Sequence, residues 1–184
     1  MNSSKRLYRD LKLINDEPLE GIEAMLIKEG DLYGWYAYIN GPEQTSWEGG
    51  IFKLSLEFPD SYPSSPPKVK FVTPMFHPNV YTSGDICLDI LQDKWSAIYN
   101  VSTILLSIQS LLNDPNCNSL ANAEAGKLFL ENKIEYTKRI QEIVKNSFKI
   151  IENDFEDEDE EEEEDDDDIV EEQEDLQENQ NEMI

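Results

Sequence analysis

Residues 77–91 read His77-Pro78-Asn79-Val80-Tyr81-Thr82-Ser83-Gly84-Asp85-Ile86-Cys87-Leu88-Asp89-Ile90-Leu91, and they divide the chain into two parts of different period. Before them, Phe52, Leu54, Leu56 and Phe58 alternate with polar neighbours, the pattern of a half-buried strand. Strand-like stretches also run near Ile22 to Ile27, Tyr33 to Ile39 and Val69 to Val72, punctuated by Gly41-Pro42, Gly49-Gly50 and Pro63 to Pro67. Links this short favour an antiparallel meander. After Cys87 the period becomes helical. Ser102 is a candidate cap for a helix carrying Ile104, Leu105, Ile108, Leu111 and Leu112 and ended by Pro115. A second helix is expected near Ala123 to Glu131, and a last one from about Ile134 with Tyr136, Ile140, Ile143 and Val144 on one face. At the other end, Ser3 or Ser4 caps a helix running to about Asn15, with Leu7, Leu11 and Ile14 inward and Lys5, Arg6, Arg9 and Lys12 toward solvent. Strands followed by helices predict an α+β domain.

The irregular stretch between Val72 and Ser102 is long for an ordered loop, and long ordered loops are commonly functional. It carries the chain's single histidine and one of its two cysteines. A cysteine hydrolase would have to recruit His77 to activate Cys87. Pro78, directly after it, biases His77 toward an extended backbone, so His77 reads as part of a shaped loop. A thiol with no base beside it suits acyl transfer better than hydrolysis. It can hold an acyl group as a thioester, with nothing near to activate water, until an amine arrives. From the residues alone Cys87 reads equally as a small buried apolar group or as a nucleophile. Asn79, likewise, reads as a turn former.

Composition bounds the rest. The chain has 184 residues, enough for one domain with a real core at 39% hydrophobic content. Residues 153–184 hold 20 of its 40 acidic residues and none of its 15 Lys and Arg. Such a segment lacks the apolar area to offset chain entropy, so a domain over 1–152 and a disordered acidic tail over 153–184 are expected. Cys87 and Cys117 have neither metal spacing nor the look of a secreted disulfide framework, which points to a reducing compartment, cytoplasm and nucleus. No apolar signal core opens the chain and no apolar run approaches membrane-spanning length, so no membrane partner is expected, and none of the motifs suggests direct contact with nucleic acid. GxxxxGK[ST] and GxGxxG are both absent, so energy must arrive preloaded in a substrate; no metal or organic cofactor is expected.

With His77-Pro78-Asn79 eight residues ahead of Ile86-Cys87-Leu88, the chain resembles the ubiquitin-conjugating enzymes. The likeness continues through Asp89-Ile90-Leu91-Gln92, Trp95-Ser96, Ser107-Ile108-Gln109-Ser110-Leu111-Leu112 and Asp114-Pro115-Asn116, and covers roughly residues 3–152. The wording Phe76-His77-Pro78-Asn79-Val80-Tyr81 is most similar to the postreplication-repair and histone-ubiquitylating branch. The resemblance implies the family's fold: one helix, a four-stranded sheet and three helices. It implies that Cys87 takes ubiquitin from the activating enzyme as a thioester and yields it to a substrate lysine, with a RING-type ligase, on histones or DNA-repair factors. It gives Asn79 the part of stabilising the oxyanion or of holding the loop that does so. His77 and Pro78 become loop-forming residues, and Trp95 packs under the active-site loop. Tyr81, Asp89 and Ser119 are candidates for desolvating or polarising the incoming amine. Lys5, Arg6 and Arg9 become partner-binding residues, as do Ser64, Ser96 and Ala97. Four positions depart from the family. Leu120 replaces the Pro of Asn-Ser-Pro, Cys117 stands where Pro is usual, Ala97 replaces the Pro after Trp-Ser, and Ser64 replaces a larger residue. These loosen the loop around Ser119 and alter the surface offered to a ligase.

Overall fold

The structure, a computed structural model, describes residues 2–149. Residues through Phe148 belong to one contact unit. The expected boundary at residue 152 and the acidic tail beyond it lie outside the described residues.

Helix α1 spans Ser3–Asp16. Asn2 caps it, its side chain accepting from the Ser4 amide, while the hydroxyls of Ser3 and Ser4 turn to Tyr33 Oη at 2.7 and 3.0 Å. The expected serine cap is therefore displaced by one residue, because an asparagine is available outside the first turn. Strands β1 Ile22–Leu26, β2 Gly34–Asn40, β3 Ile51–Glu57 and β4 Lys68–Phe71 form one antiparallel sheet in chain order. Its register pairs Trp35 with Leu56, Ala37 with Leu54 and Ile39 with Phe52. The period of two then puts these six side chains on one face, and all six are fully buried. Tyr36, Tyr38 and Lys53 take the other face, where the Lys53 ammonium lies 4.0 Å from the centre of the Tyr36 ring.

A 3₁₀ turn at Asp89–Leu91 precedes helix α2, Val101–Asn113, which lays Val101, Ile104, Leu105, Ile108 and Leu112 into the core. Asn100, not Ser102, caps α2, because its Oδ1 reaches the Thr103 amide at 2.8 Å. Helix α3 covers Ala123–Glu131 and is capped by Asn122; helix α4 begins at residue 133 and buries Tyr136 and Ile140. Each fully buried Leu, Ile or Phe contributes roughly 2 kcal/mol, so this sheet-on-helix core holds the scaffold on which the long loops are built. Among the described residues no helix is long and apolar enough to cross a membrane.

One expectation fails on α1. Periodicity puts Arg6 with Lys5, Arg9 and Lys12 on the solvent face, yet it is 8% exposed whereas Lys5, Arg9 and Lys12 reach solvent. Its Nε donates to Asp10 Oδ1 at 2.8 Å, and its other nitrogens donate to the carbonyls of Ala97 at 2.8 Å and Tyr99 at 2.5 Å. A cation with three acceptors around it is satisfied inside, which amphipathic periodicity alone does not register.

Candidate active site

The eight-residue spacing between Asn79 and Cys87 is the register of a small hairpin. The Tyr81 amide donates to the Asp85 carbonyl at 2.9 Å, Val80 bridges Ile86, and the Cys87 amide donates to the Asn79 carbonyl at 2.8 Å. Asn79 and Cys87 are thus opposed partners in one short antiparallel pair. Gly84 closes the turn at φ 85, and a Cβ there would lie 2.2 Å from the Phe71 carbonyl oxygen. That crowding and that φ explain the glycine. The Phe71 amide donates to the Gly84 carbonyl at 2.9 Å, and Lys70 pairs with Asp85 at 3.0 Å, so the hairpin is fastened to the end of β4.

His77, Pro78 and Asn79 each hold a different part of the connection between α2 and α3. His77 Nδ1 accepts from the Asn79 amide at 3.0 Å, which leaves the proton on Nε2 to be donated to the Leu111 carbonyl at 2.9 Å, near the end of α2. The Pro78 carbonyl accepts from the amides of Ala121 and Asn122 at 2.8 and 3.1 Å, just before α3. Between these, the Asn79 carboxamide donates to the carbonyls of Asn116 at 2.9 Å and Ser119 at 2.7 Å and accepts from the Asn116 amide at 2.8 Å. Asn79 is fully buried. A carboxamide has two N–H groups, and both are spent on these carbonyls, so in this arrangement Asn79 holds the loop and has no donor left for an oxyanion.

The loop so held brings Ser119 Oγ to 3.1 Å from Cys87 Sγ. The thiol is half-buried and Ser119 is exposed, so the pair forms a shallow, solvent-facing site. Burial depresses His77 from the usual 6.5 to about 4, and with both ring nitrogens engaged it is neutral and cannot serve the thiol as a base. Asp89, two residues past the thiol, pairs with Lys94 at 2.6 Å. That hydrogen bond holds its carboxyl below the usual carboxylate range, so Asp89 stands ionised but already occupied. Tyr81 is 46% exposed on the hairpin. Cys117 lies in the loop held by Asn79, its Sγ 3.8 Å from the Pro115 carbonyl. Among the described residues no group of His, Cys, Asp and Glu side chains is arranged to hold a metal.

Trp95, expected under the active-site loop, donates from Nε1 to the Pro63 carbonyl at 2.9 Å and packs its ring against Tyr62 and Tyr99, so it ties two loops together. Ser64 and Ala97 are exposed and Ser96 half-buried on those loops, and Lys5 and Arg9 are exposed on α1. Sequence reasoning passes over Asn116, whose backbone is the grip for Asn79, and Lys94, which occupies Asp89. An asparagine directly after Asp114-Pro115 is the available signal for the first; a cation five residues beyond Asp89 is the signal for the second.

A half-buried thiol beside a hydroxyl, on a stapled hairpin and without a base of its own, is an arrangement suited to carrying an acyl group as a thioester. It can exchange with another thioester and release the acyl group to an amine, since thiolate leaves readily. The model of the ubiquitin-conjugating enzyme family matches residues 6–144. The chain is 52% identical over 146 residues to ubiquitin-conjugating enzyme E2 1 of Caenorhabditis elegans, covering 79% of this chain and 76% of that protein. It is also 52% identical over 146 residues to ubiquitin-conjugating enzyme E2 3 of Arabidopsis thaliana, with 79% and 97% covered, and 48% identical over 145 residues to ubiquitin-conjugating enzyme E2 2 of Fusarium solani, with 79% and 95% covered. The chain belongs to the ubiquitin-conjugating enzyme family. Its activity is therefore ubiquitin transfer through a thioester, with ubiquitin, an activating enzyme and a ligase as partners.

Proposed function

We propose that Cys87 is the thiol that carries ubiquitin and that Ser119 meets the incoming lysine beside it. The observation that carries this reading is the 3.1 Å contact between Ser119 Oγ and Cys87 Sγ in a site whose histidine is buried, neutral and fully bonded. In loading, the Cys87 thiolate attacks the carbonyl carbon of the activating enzyme's thioester, and that enzyme's thiolate leaves. In transfer, the lysine amine attacks the Cys87 thioester, an isopeptide bond forms, and the Cys87 thiolate departs. The amine must shed a proton, and with an ordinary pKa of about 10.4 it needs a polar or desolvating neighbour near neutral pH. Ser119, in contact with Cys87, is assigned to this first, with Tyr81 and Asp89 as the further candidates, Asp89 only after Lys94 yields it.

Incubation with activating enzyme, ubiquitin and ATP tests the assignment. Wild type and Cys117→Ala form an adduct that reductant removes, Cys87→Ser forms one that survives reductant because alkoxide leaves poorly, and Cys87→Ala forms none. Charging of Cys87→Ala at the wild-type level refutes it.

For the substrate, the reading is a nuclear and cytoplasmic enzyme working with a RING-type ligase on histones or DNA-repair factors. It rests on the branch resemblance at Phe76 to Tyr81 and on the acidic composition of residues 153–184. A segment that negative raises the rate of encounter with basic surfaces such as histone tails, and its pull weakens with salt. A chain ending at Glu152 should charge normally but lose ligase-free transfer to histones at low salt. Equal modification by the shortened and full-length chains refutes the recruiting role.

A further inference from the structure

Leu120 stands between two fixed points of the loop that carries Ser119. On one side the Ser119 carbonyl accepts from the Asn79 carboxamide at 2.7 Å; on the other the Ala121 amide donates to the Pro78 carbonyl at 2.8 Å. Neither bond sets the backbone torsions of Leu120, whose own amide donates no hydrogen bond among the described residues. Those torsions swing the peptide between Ser119 and Leu120, and with it the hydroxyl that lies 3.1 Å from Cys87 Sγ. Where proline is the family's usual residue, its ring would fix φ covalently; leucine has no such restraint.

The Leu120 side chain supplies one by packing. A Cβ placed on Gly126 of α3 would lie 2.7 Å from Leu120 Cδ2, 2.8 Å from Cδ1 and 3.3 Å from Cγ, whereas ordinary carbon contacts fall at about 3.5–4.0 Å. The leucine therefore fills the space that a side chain at 126 would take. Nothing in the backbone calls for glycine there. Gly126 is buried within α3, is not among the residues of positive φ, and donates from its amide to the Asn122 carbonyl at 3.0 Å in the ordinary helical way. Alanine would be the better helix former, so the glycine is explained by the leucine it admits. Leu120 remains 43% exposed, one edge seated on α3 and the other on the rim beside Ser119.

We propose that the seat of Leu120 on Gly126 positions Ser119: a side-chain contact with α3, in place of a proline ring, fixes the Leu120 torsions and holds the hydroxyl at the Cys87 thioester where the lysine amine arrives. Leu120 and Gly126 act through Ser119 and are positioning residues. The proposal rests on the Ser119 reading above and deepens it.

The test uses the full chain charged with ubiquitin and single-turnover discharge to free lysine, with charging by the activating enzyme and thermal unfolding recorded for each variant. Gly126→Ala drives a Cβ against the end of a flexible side chain, so Leu120 swings out while α3 keeps its turn. The unfolding midpoint should match or exceed that of the wild type, and charging should be unchanged. Discharge should nevertheless slow about tenfold, with the deficit widening as pH falls, and Leu120→Ala should do the same. The double variant should be no slower than either single one, since both remove the same contact. The decisive comparison is made in Ser119→Ala. A seat that works through the hydroxyl then has nothing to position, so adding Gly126→Ala should leave the rate where Ser119→Ala put it; general damage to the loop would lower it by the same factor as before. An undiminished effect of Gly126→Ala without the hydroxyl overturns the proposal and leaves the Ser119 reading intact, as does wild-type discharge in either folded Gly126→Ala or folded Leu120→Ala. A Ser119→Ala variant that discharges as the wild type at every pH refutes the Ser119 reading itself, and the proposal with it.

Discussion

Removing the Asn79 side chain separates the two parts that this residue could play. In Asn79→Ala the carbonyls of Asn116 and Ser119 lose a donor and the Asn116 amide loses its acceptor. Three part-buried hydrogen bonds at roughly 1 kcal/mol each put the local cost near 3 kcal/mol, and at about 1.4 kcal/mol per decade the loop should open about a hundredfold more often. The reporters are the amides of Ala121 and Asn122, which bond to Pro78 and not to Asn79. If Asn79 acts by holding the loop, native-state hydrogen exchange at both accelerates in the variant. Single-turnover discharge to free lysine then slows, because Ser119 is no longer held at Cys87, while charging by the activating enzyme stays near normal. If Asn79 instead served only as an oxyanion donor, discharge would fall by roughly 10²- to 10³-fold with the two amides as protected as in wild type. Slow discharge with unchanged exchange at Ala121 and Asn122 refutes the loop-holding argument.

Protonation of His77 should destabilise the fold on the acid side. Its folded pKa, about 4, lies below the ordinary 6.5, so its contribution is complete above pH 6.5 and is lost as pH falls toward 4. The full loss is about 3 kcal/mol, and urea midpoints across that range should fall more steeply in wild type than in His77→Gln; equal slopes defeat the prediction. Ser119→Ala should discharge more slowly than wild type, with the deficit widening at lower pH where the amine is protonated, and a pH-rate profile parallel to wild type removes Ser119 from amine activation. Gly84→Ala forces a Cβ onto the Phe71 carbonyl at a positive φ and should cost about 1–3 kcal/mol in thermal or urea unfolding; a wild-type midpoint would show that the hairpin has room the geometry denies.

The strands and helices are legible in the sequence because burial writes a period into the chain. Phe52, Leu54 and Leu56 alternate and are all fully buried, and Ile104, Leu105, Ile108, Leu111 and Leu112 recur at helical spacing and are all buried. Caps are less legible: Ser3, Ser4 and Ser102 are acceptable caps by type, and only the three-dimensional chain shows that Asn2 and Asn100 stand where the amides need them. At the site, the Asn79 to Cys87 spacing is visible as a number, but its meaning as a hairpin register needs the Val80 and Ile86 bridge. Periodicity misplaces Arg6 because it sorts residues by hydropathy, and a guanidinium whose acceptors come from residues 97 and 99 breaks that sorting without changing the pattern.

The illegible contacts share a cause that bears on how the site works. The scaffold is held by side chain against side chain, which one-dimensional patterns encode. The loops are held by buried polar side chains that capture backbone groups: His77 takes the Leu111 carbonyl, Asn79 takes Asn116 and Ser119, and Arg6 takes Ala97 and Tyr99. A captured backbone group has no preferred residue type, so the partner end of each contact is silent in the sequence. Such contacts are also stringent, because each buried group left unsatisfied costs about 1–3 kcal/mol, and the loops are thereby confined to one arrangement without burying much apolar surface. Hydrophobic packing around Cys87 would have walled the thiol off from a protein-sized donor and a lysine. Backbone capture keeps the proposed thioester site rigid and open at once, and it predicts that an Asn79 variant loses activity through the loop's geometry, with the core untouched.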